Sequence, residues 1–127
     1  MVFVDKINKN NLSDFINYYH SFHDSYITNI NYDINNSKIE LYLDIVWSGE
    51  PILKEDNTFE TNKTKLFMIF NEIEKYSCKE IFNWDYIDEM YLDFINLDNK
   101  ELICFANNKN NPDIYIVCKN ISYEERK

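Results

Sequence analysis

The ten residues KIELYLDIVW, numbers 38–47, alternate between polar and apolar side chains without a break. One face of the stretch receives Ile39, Leu41, Leu43, Ile45 and Trp47. The other face receives Lys38, Glu40, Tyr42 and Asp44. A period of two is what a strand with one face in a core requires. The stretch therefore predicts a half-buried β-strand, and it favours a mainly β fold.

The residues before this strand predict a hairpin partner and a short helix. Alternation over 25–33, which Ile27 interrupts, predicts a strand with Tyr26, Thr28, Ile30 and Tyr32 on one face. A turn over DINNSK would join this strand to 38–47. Farther upstream, apolar residues recur at helical spacing and predict a helix over 12–20. These residues are Leu12, Phe15, Ile16 and Tyr19.

Two segments after the strand are harder to interpret. Residues 48–63, SGEPILKEDNTFETNK, form a long polar stretch that we interpret as a poorly ordered connection. Residues 64–78 fit both a helix and a strand, because their apolar residues satisfy both periods. Aromatic and β-branched content favours a strand near 64–70.

The last third of the chain predicts a second hairpin and a final strand. Asp98-Asn99 is suited to a two-residue type I′ turn, since both residue types tolerate positive φ. The last strand contains Ile114 and Ile116. Symmetric pairing about Asn111 would place Cys104 opposite Cys118. With a single glycine in the chain, we expect asparagines to fill left-handed turn positions at 35–36, 98–99, 107–108 and 110–111.

Together these elements predict one domain over residues 1–127. It would contain about six antiparallel strands and one short N-terminal helix. A sheet of this size must bury one face, so we expect a sandwich, a half-barrel or packing against the helix.

Composition limits the partners. The formal charge of −9 repels phosphates, so we expect no nucleic-acid partner and favour a protein with a basic surface. No apolar run is long enough for a signal peptide or a membrane span, which predicts a cytoplasmic protein without a membrane partner. Three cysteines without C-x-x-C spacing suggest reduced thiols.

The sequence His20-x-x-His23-Asp24 holds both histidines of the chain and is the main candidate for chemistry. Two histidines and a carboxylate could supply three metal ligands, but a helix end followed by a strand does not fix their convergence. Ser25 adds the letters of a triad, yet neighbouring residues of a strand point apart. We therefore interpret the stretch as a helix-to-strand corner, and we expect no metal, no cofactor and no catalytic residue.

A surface for recognition is the remaining possibility. Aromatic and acidic side chains together suit protein binding, with aromatic residues as anchors and carboxylates facing lysine or arginine. The residues predicted to contact a partner are His23, Asp24, Tyr42, Asp44, Trp47, Asp88, Glu89 and Tyr91.

The run FHDSYITNINYDINNSKIELYLDIVW, residues 22–47, resembles the opening of a group of small bacterial families. These families begin with a Phe/Leu-His-Asp-Ser/Ala element, here Phe22 to Ser25, followed by two strands. Residues 83–125 resemble the closing hairpin and last strand of the same group, whereas 48–63 lie outside the pattern. Some members are immunity proteins of polymorphic toxin systems, and others are domains of unknown function. The resemblance implies a mostly β domain that blocks a partner, and it implies no catalytic residues.

The sequence thus predicts a non-enzymatic protein-binding module, and the resemblance implies an immunity-like inhibitor of a toxin. The alternative is a small ligand-binding or hydrolytic module with a site around His23 and Asp24. A third hypothesis is an assembly module that forms a homodimer through a sheet edge, so the protein is expected to be a monomer or a homodimer.

Overall fold

The structure, a computed structural model, describes residues 5–79, 85–87, 90–108, 110 and 112–126. Within these residues the chain forms eight strands and one α-helix, α1, over Leu12–Tyr18. The strands are β1 Asp5–Lys6, β2 Ser25–Asp33, β3 Lys38–Leu53, β4 Phe59–Cys78, β5 Asp85–Ile87, β6 Tyr91–Leu97, β7 Lys100–Ala106 and β8 Ile114–Arg126. Six of them have at least seven residues, so the mainly β prediction with one short N-terminal helix is confirmed.

All the strands belong to one antiparallel sheet in the order β5-β2-β3-β4-β8-β7-β6, and β1 pairs with the end of β8. The two outer strands are close in sequence, since Ile87 ends β5 and Tyr91 begins β6. Four residue steps span at most about 14 Å. The sheet must therefore curl until its edges approach, which corresponds to the half-barrel rather than to two stacked sheets.

The core lies inside this curl and contains residues from every long strand and from α1. The alternation of 38–45 is observed as expected, because Ile39, Leu41, Leu43 and Ile45 are buried. The helix adds Phe15, whose ring lies 4.5 Å from that of Tyr123 on β8. Apolar burial of this kind is the main source of stability.

Residues 48–63 form the end of β3, the start of β4 and the turn between them, so the expectation of a poorly ordered connection was wrong. β3 continues to Leu53 and β4 begins at Phe59, and the two pair through Ile52↔Glu60 and Leu53↔Phe59. Residues 64–78 lie in β4, which settles the choice between strand and helix. We call residues 48–63 the ribbon, because β2 pairs with β3 only as far as Asp44 and β8 pairs with β4 only from Lys65 onward.

β-Bulges account for two departures from simple alternation. In β2 the register shifts between Ile27 and Asn29, so Ser25 and Ile27 face the core and Tyr26 is exposed. The extra residue of the bulge then returns Ile30 to the core side. The predicted face of β2 was therefore wrong before the bulge. A second shift in β3 follows Ile45.

The final strands pair one residue away from the predicted register. Cys118 lies opposite Ile103, and Cys104 lies opposite Val117. A shift of one residue reverses the face of every side chain. The two thiols therefore belong to different apolar clusters, Cys118 to the core and Cys104 to a small cluster on the outer face.

The asparagine prediction holds at one of its sites. Asp98 and Asn99 have φ of 51° and 62° and turn β6 into β7. At the β2–β3 turn, however, the left-handed residue is Ser37, not Asn35 or Asn36. Asn111 lies outside the described residues.

Candidate functional site

The corner, residues 20–24, is a left-handed turn between α1 and β2. His20, Ser21, Phe22 and Asp24 have φ between 52° and 62°. Each non-glycine residue in this region costs about 1–2 kcal/mol. Burial of the Phe22 ring against Phe15 and Tyr19 offsets part of this cost. The helix therefore ends at Tyr18, two residues before the predicted end.

The side chains of the corner reach the adjoining end of β3. Asp24 Oδ2 accepts the indole N–H of Trp47 at 3.2 Å and lies 3.4 Å from His23 Nε2. His20 Nε2 lies 2.6 Å from the carbonyl oxygen of Gly49, so this nitrogen carries the proton and donates. Three predicted residues, His23, Asp24 and Trp47, are thus brought together by contacts across the corner.

The two histidines have different partners. His20 is held by a backbone carbonyl, whereas His23 faces Asp24. Over the described ranges, no group of three or more histidine, cysteine or acidic side chains is placed to hold a metal ion. The hydroxyl of Ser25 is fully buried, so a substrate cannot reach it as it would a nucleophile. This geometry agrees with a structural corner.

The ribbon begins beneath the corner. Gly49, the single glycine of the chain, has φ of +66°, and a Cβ there would lie 3.4 Å from the Tyr18 ring. Ser48 Oγ donates to the carbonyl of Asn62 across the ribbon at 2.7 Å. The base of the ribbon is therefore held by His20 of the corner and adjoins Tyr18 at the end of α1.

The predicted residues Tyr42 and Asp44 lie on a second surface, the outer face of β3. The Tyr42 ring is 4.7 Å from the Phe67 ring, and the Arg126 guanidinium lies 4.7 Å above Phe67 on the same strand face. Asp44 lies directly opposite Lys65 in the register of β3 and β4. The surface is mixed in charge and not acidic.

Two shallow cavities adjoin Asp44, of about 310 and 410 Å³, and both are lined in addition by Lys65 and Arg126. The Arg126 Nε donates to Glu124 at 2.8 Å, and this bond raises the pKa of the guanidinium above its ordinary value. Opposite charges neighbour each other here, so this face presents no single sign of charge to a partner.

Tyr91 lies on a third surface, on β6. It packs against the outer cluster of Leu102, Cys104 and Val117. Its hydroxyl lies 3.4 Å from Asp93 Oδ2, and burial together with this carboxylate raises the pKa of Tyr91. The predicted residues Asp88 and Glu89 lie outside the described residues. The predicted set is therefore divided among at least three places.

The sequence prediction missed four exposed apolar residues at the end of α1 and on the ribbon. Tyr18, Ile52, Leu53 and Phe59 are 47%, 49%, 61% and 62% exposed. The signal was in the sequence, because Ile52-Leu53 and Phe59 flank KEDNT, in which Asp56-Asn57 is a turn pair. The polar composition of the stretch concealed the hairpin.

Comparison with family models, with curated proteins and with solved structures finds no match to this chain. Within the described residues, no helix is long and apolar enough to cross a membrane.

Proposed function

We propose that this protein is a non-enzymatic module that binds another protein, as an immunity-like inhibitor that covers a basic toxin. The observation that carries the proposal is a concentration of exposed apolar side chains at one end of the molecule. Eight large apolar side chains are exposed among the described residues. Four belong to the end of α1 and the ribbon: Tyr18, Ile52, Leu53 and Phe59.

Exposed aromatic and aliphatic groups beside carboxylates are typical of recognition surfaces. The net charge of −9 favours a basic partner and speeds its association. The sequence resemblance to immunity proteins supports the same class of partner, and a cytoplasmic location belongs to the same proposal.

The alternative, a ligand-binding or hydrolytic site at His23 and Asp24, has less support. The His23–Asp24 pair is half-exposed, at 54% and 38% for the side chains, and does not line the cavities beside Asp44. Asp24 also accepts the Trp47 N–H, which is a structural role. A half-exposed pair that lines neither of these two cavities is poorly placed to hold a small substrate in them.

The proposal is tested with the purified product of the gene immediately upstream. Binding by calorimetry, and loss of that product's toxicity when both proteins are expressed together, are the expected results. Absence of both binding and protection would contradict the proposal. Light scattering of the protein alone tests the homodimer hypothesis, because an assembly module would have twice the mass of the chain.

A further inference from the structure

The tip of the ribbon exposes apolar side chains from residues that are paired across its two strands. Leu53 and Phe59 are directly paired across the two strands, and Ile52 is paired with Glu60. All three apolar groups are about half or more exposed. In an ordinary surface hairpin such positions are polar on the solvent side. These side chains are therefore available to contact a partner as well as each other.

The turn that closes the tip is held by its own hydrogen bonds. Lys54 N donates to Thr58 O at 2.8 Å, and Asn57 N donates to Lys54 O at 3.0 Å. Asp56 Oδ1 accepts the Thr58 N–H and hydroxyl, which lowers the pKa of Asp56. The left-handed residue is Asn57, at φ of 66°. A tip built in this way presents its side chains at a small entropic cost on binding.

The base of the ribbon is equally constrained. Ser48 bridges the two strands to Asn62, and His20 holds Gly49 from the corner. The Tyr18 ring lies beside Gly49, where it leaves little room for a Cβ. The direction in which the ribbon projects is thus set by the corner and not by the ribbon alone.

Charge identifies the kind of surface that the tip fits. The ribbon, residues 48–63, carries four carboxylates and two lysines, a net charge of −2. The carboxylates belong to Glu50, Glu55, Asp56 and Glu60, and all four residues are exposed. A second copy of the same tip would bring like charges together, and a nucleic acid would add phosphates to them. A cleft with an apolar floor and a rim of lysine and arginine satisfies both the apolar and the acidic groups.

We propose that the ribbon tip is the segment that enters the partner, with Leu53 and Phe59 in an apolar pocket and the carboxylates against its basic rim. This rests on the proposed function and specifies which surface performs it. The corner then acts as the support that aims the ribbon, and the mixed face around Asp44 lies outside the contact.

The test uses the full chain and the purified product of the upstream gene as the probe. The double variant Leu53→Ser/Phe59→Ser removes the apolar tip without touching the core. The matched control is Ile34→Ser, which removes a side chain that is 79% exposed at the opposite end of β3. A charge variant, Glu55→Lys, is compared with Glu101→Lys on β7, which makes the same change in net charge and in addition breaks the exposed Lys9–Glu101 ion pair. Circular dichroism and urea unfolding verify that all variants fold.

We expect the double variant to weaken binding by about 30-fold or more, the effect of losing a central anchor. Glu55→Lys should lower the association rate and its salt dependence, while Ile34→Ser and Glu101→Lys match the wild type. Wild-type binding that survives in the double variant would overturn the ribbon proposal and leave the protein-binding function standing. No binding by the wild type would overturn both. Wild-type self-association that the double variant abolishes would assign the tip to a second copy and also overturn it.

Discussion

Two hairpins of this molecule place their apolar residues in opposite environments, one in the core and one in solvent. β6 and β7 join at Asp98-Asn99, and the second strand of that hairpin is buried from Leu102 to Ala106 on both of its faces. The ribbon joins β3 and β4 at a turn closed by its own hydrogen bonds, and its apolar residues face solvent. Turn chemistry therefore makes a hairpin, and the surroundings decide whether its apolar groups stabilise the fold or remain for a partner.

The largest difference between the hairpins is expected in truncation of a phenylalanine. Phe105, on β7, is fully buried with its ring 5.1 Å from that of Phe70, so Phe105→Ala should cost about 3–5 kcal/mol of unfolding free energy. Phe59→Ala, in the ribbon, should change it by less than about 0.5 kcal/mol. Urea unfolding measures both. Similar losses of unfolding free energy would mean that the ribbon tip packs on the rest of the fold, and this would contradict the difference between the two hairpins.

High pH should lower stability through the buried thiols of β7 and β8, and above about pH 10 also through Tyr19 and Tyr32, whose pKa values burial raises. Burial raises the pKa of Cys118 to about 12, and burial likewise raises that of Cys104. The unfolded chain loses these protons at lower pH, so stability is full below pH 9 and falls as pH rises toward 12. For one thiol the slope is at most about 1.4 kcal/mol per pH unit.

Urea unfolding at pH 8 and pH 10.5 measures this slope. Cys118→Ala should have a shallower slope whatever its absolute stability, and an unchanged slope would assign the alkaline loss to other groups.

In the ribbon, the pH dependence of stability has the opposite sign. Because the pKa of Asp56 is lowered, the support of the turn by Thr58 is present at neutral pH and is lost as pH falls through that lowered pKa. NMR chemical shifts of Thr58, followed as the pH is lowered, measure this loss.

The base of the ribbon should be sensitive to its single glycine. Gly49→Ala places a Cβ at positive φ against the Tyr18 ring and should cost about 1–2 kcal/mol. Asn57→Gly, at the tip, is the matched control, since it relieves the same backbone region and should be close to neutral. Thermal unfolding distinguishes them. A neutral Gly49→Ala would show that the corner does not hold the ribbon.

The smallest effect is expected from two buried serines. Ser48 Oγ donates to Asn62, so Ser48→Ala should cost about 1 kcal/mol. Across the described residues, Ser25 Oγ is the buried side-chain polar atom without a hydrogen-bond partner. Ser25→Ala should therefore be neutral or stabilise the protein by up to about 1 kcal/mol. Destabilisation by both substitutions would indicate that the Ser25 hydroxyl has a partner in solution.

Local patterns predicted most of the elements but little of the candidate site. The alternation of 38–45 and the spacing of Leu12 and Phe15 gave correct elements, because each depends on residues close in sequence. The contact of Asp24 with Trp47 depends on residues 23 apart and on a bulge after Ile45. Pattern reasoning assigned Trp47 to the core face and could not foresee that bulge.

The sequence by itself determined a mainly β chain, a helix that precedes the first hairpin, and an acidic character. These follow from side-chain periodicity and from charge, which need no knowledge of distant contacts. Only the tertiary structure decided that the sheet curls, that the two thiols face opposite ways, and that 48–63 form a projecting ribbon. Register and curvature depend on bulges and on packing between distant residues, and a shift of one residue exchanges the buried face for the exposed one.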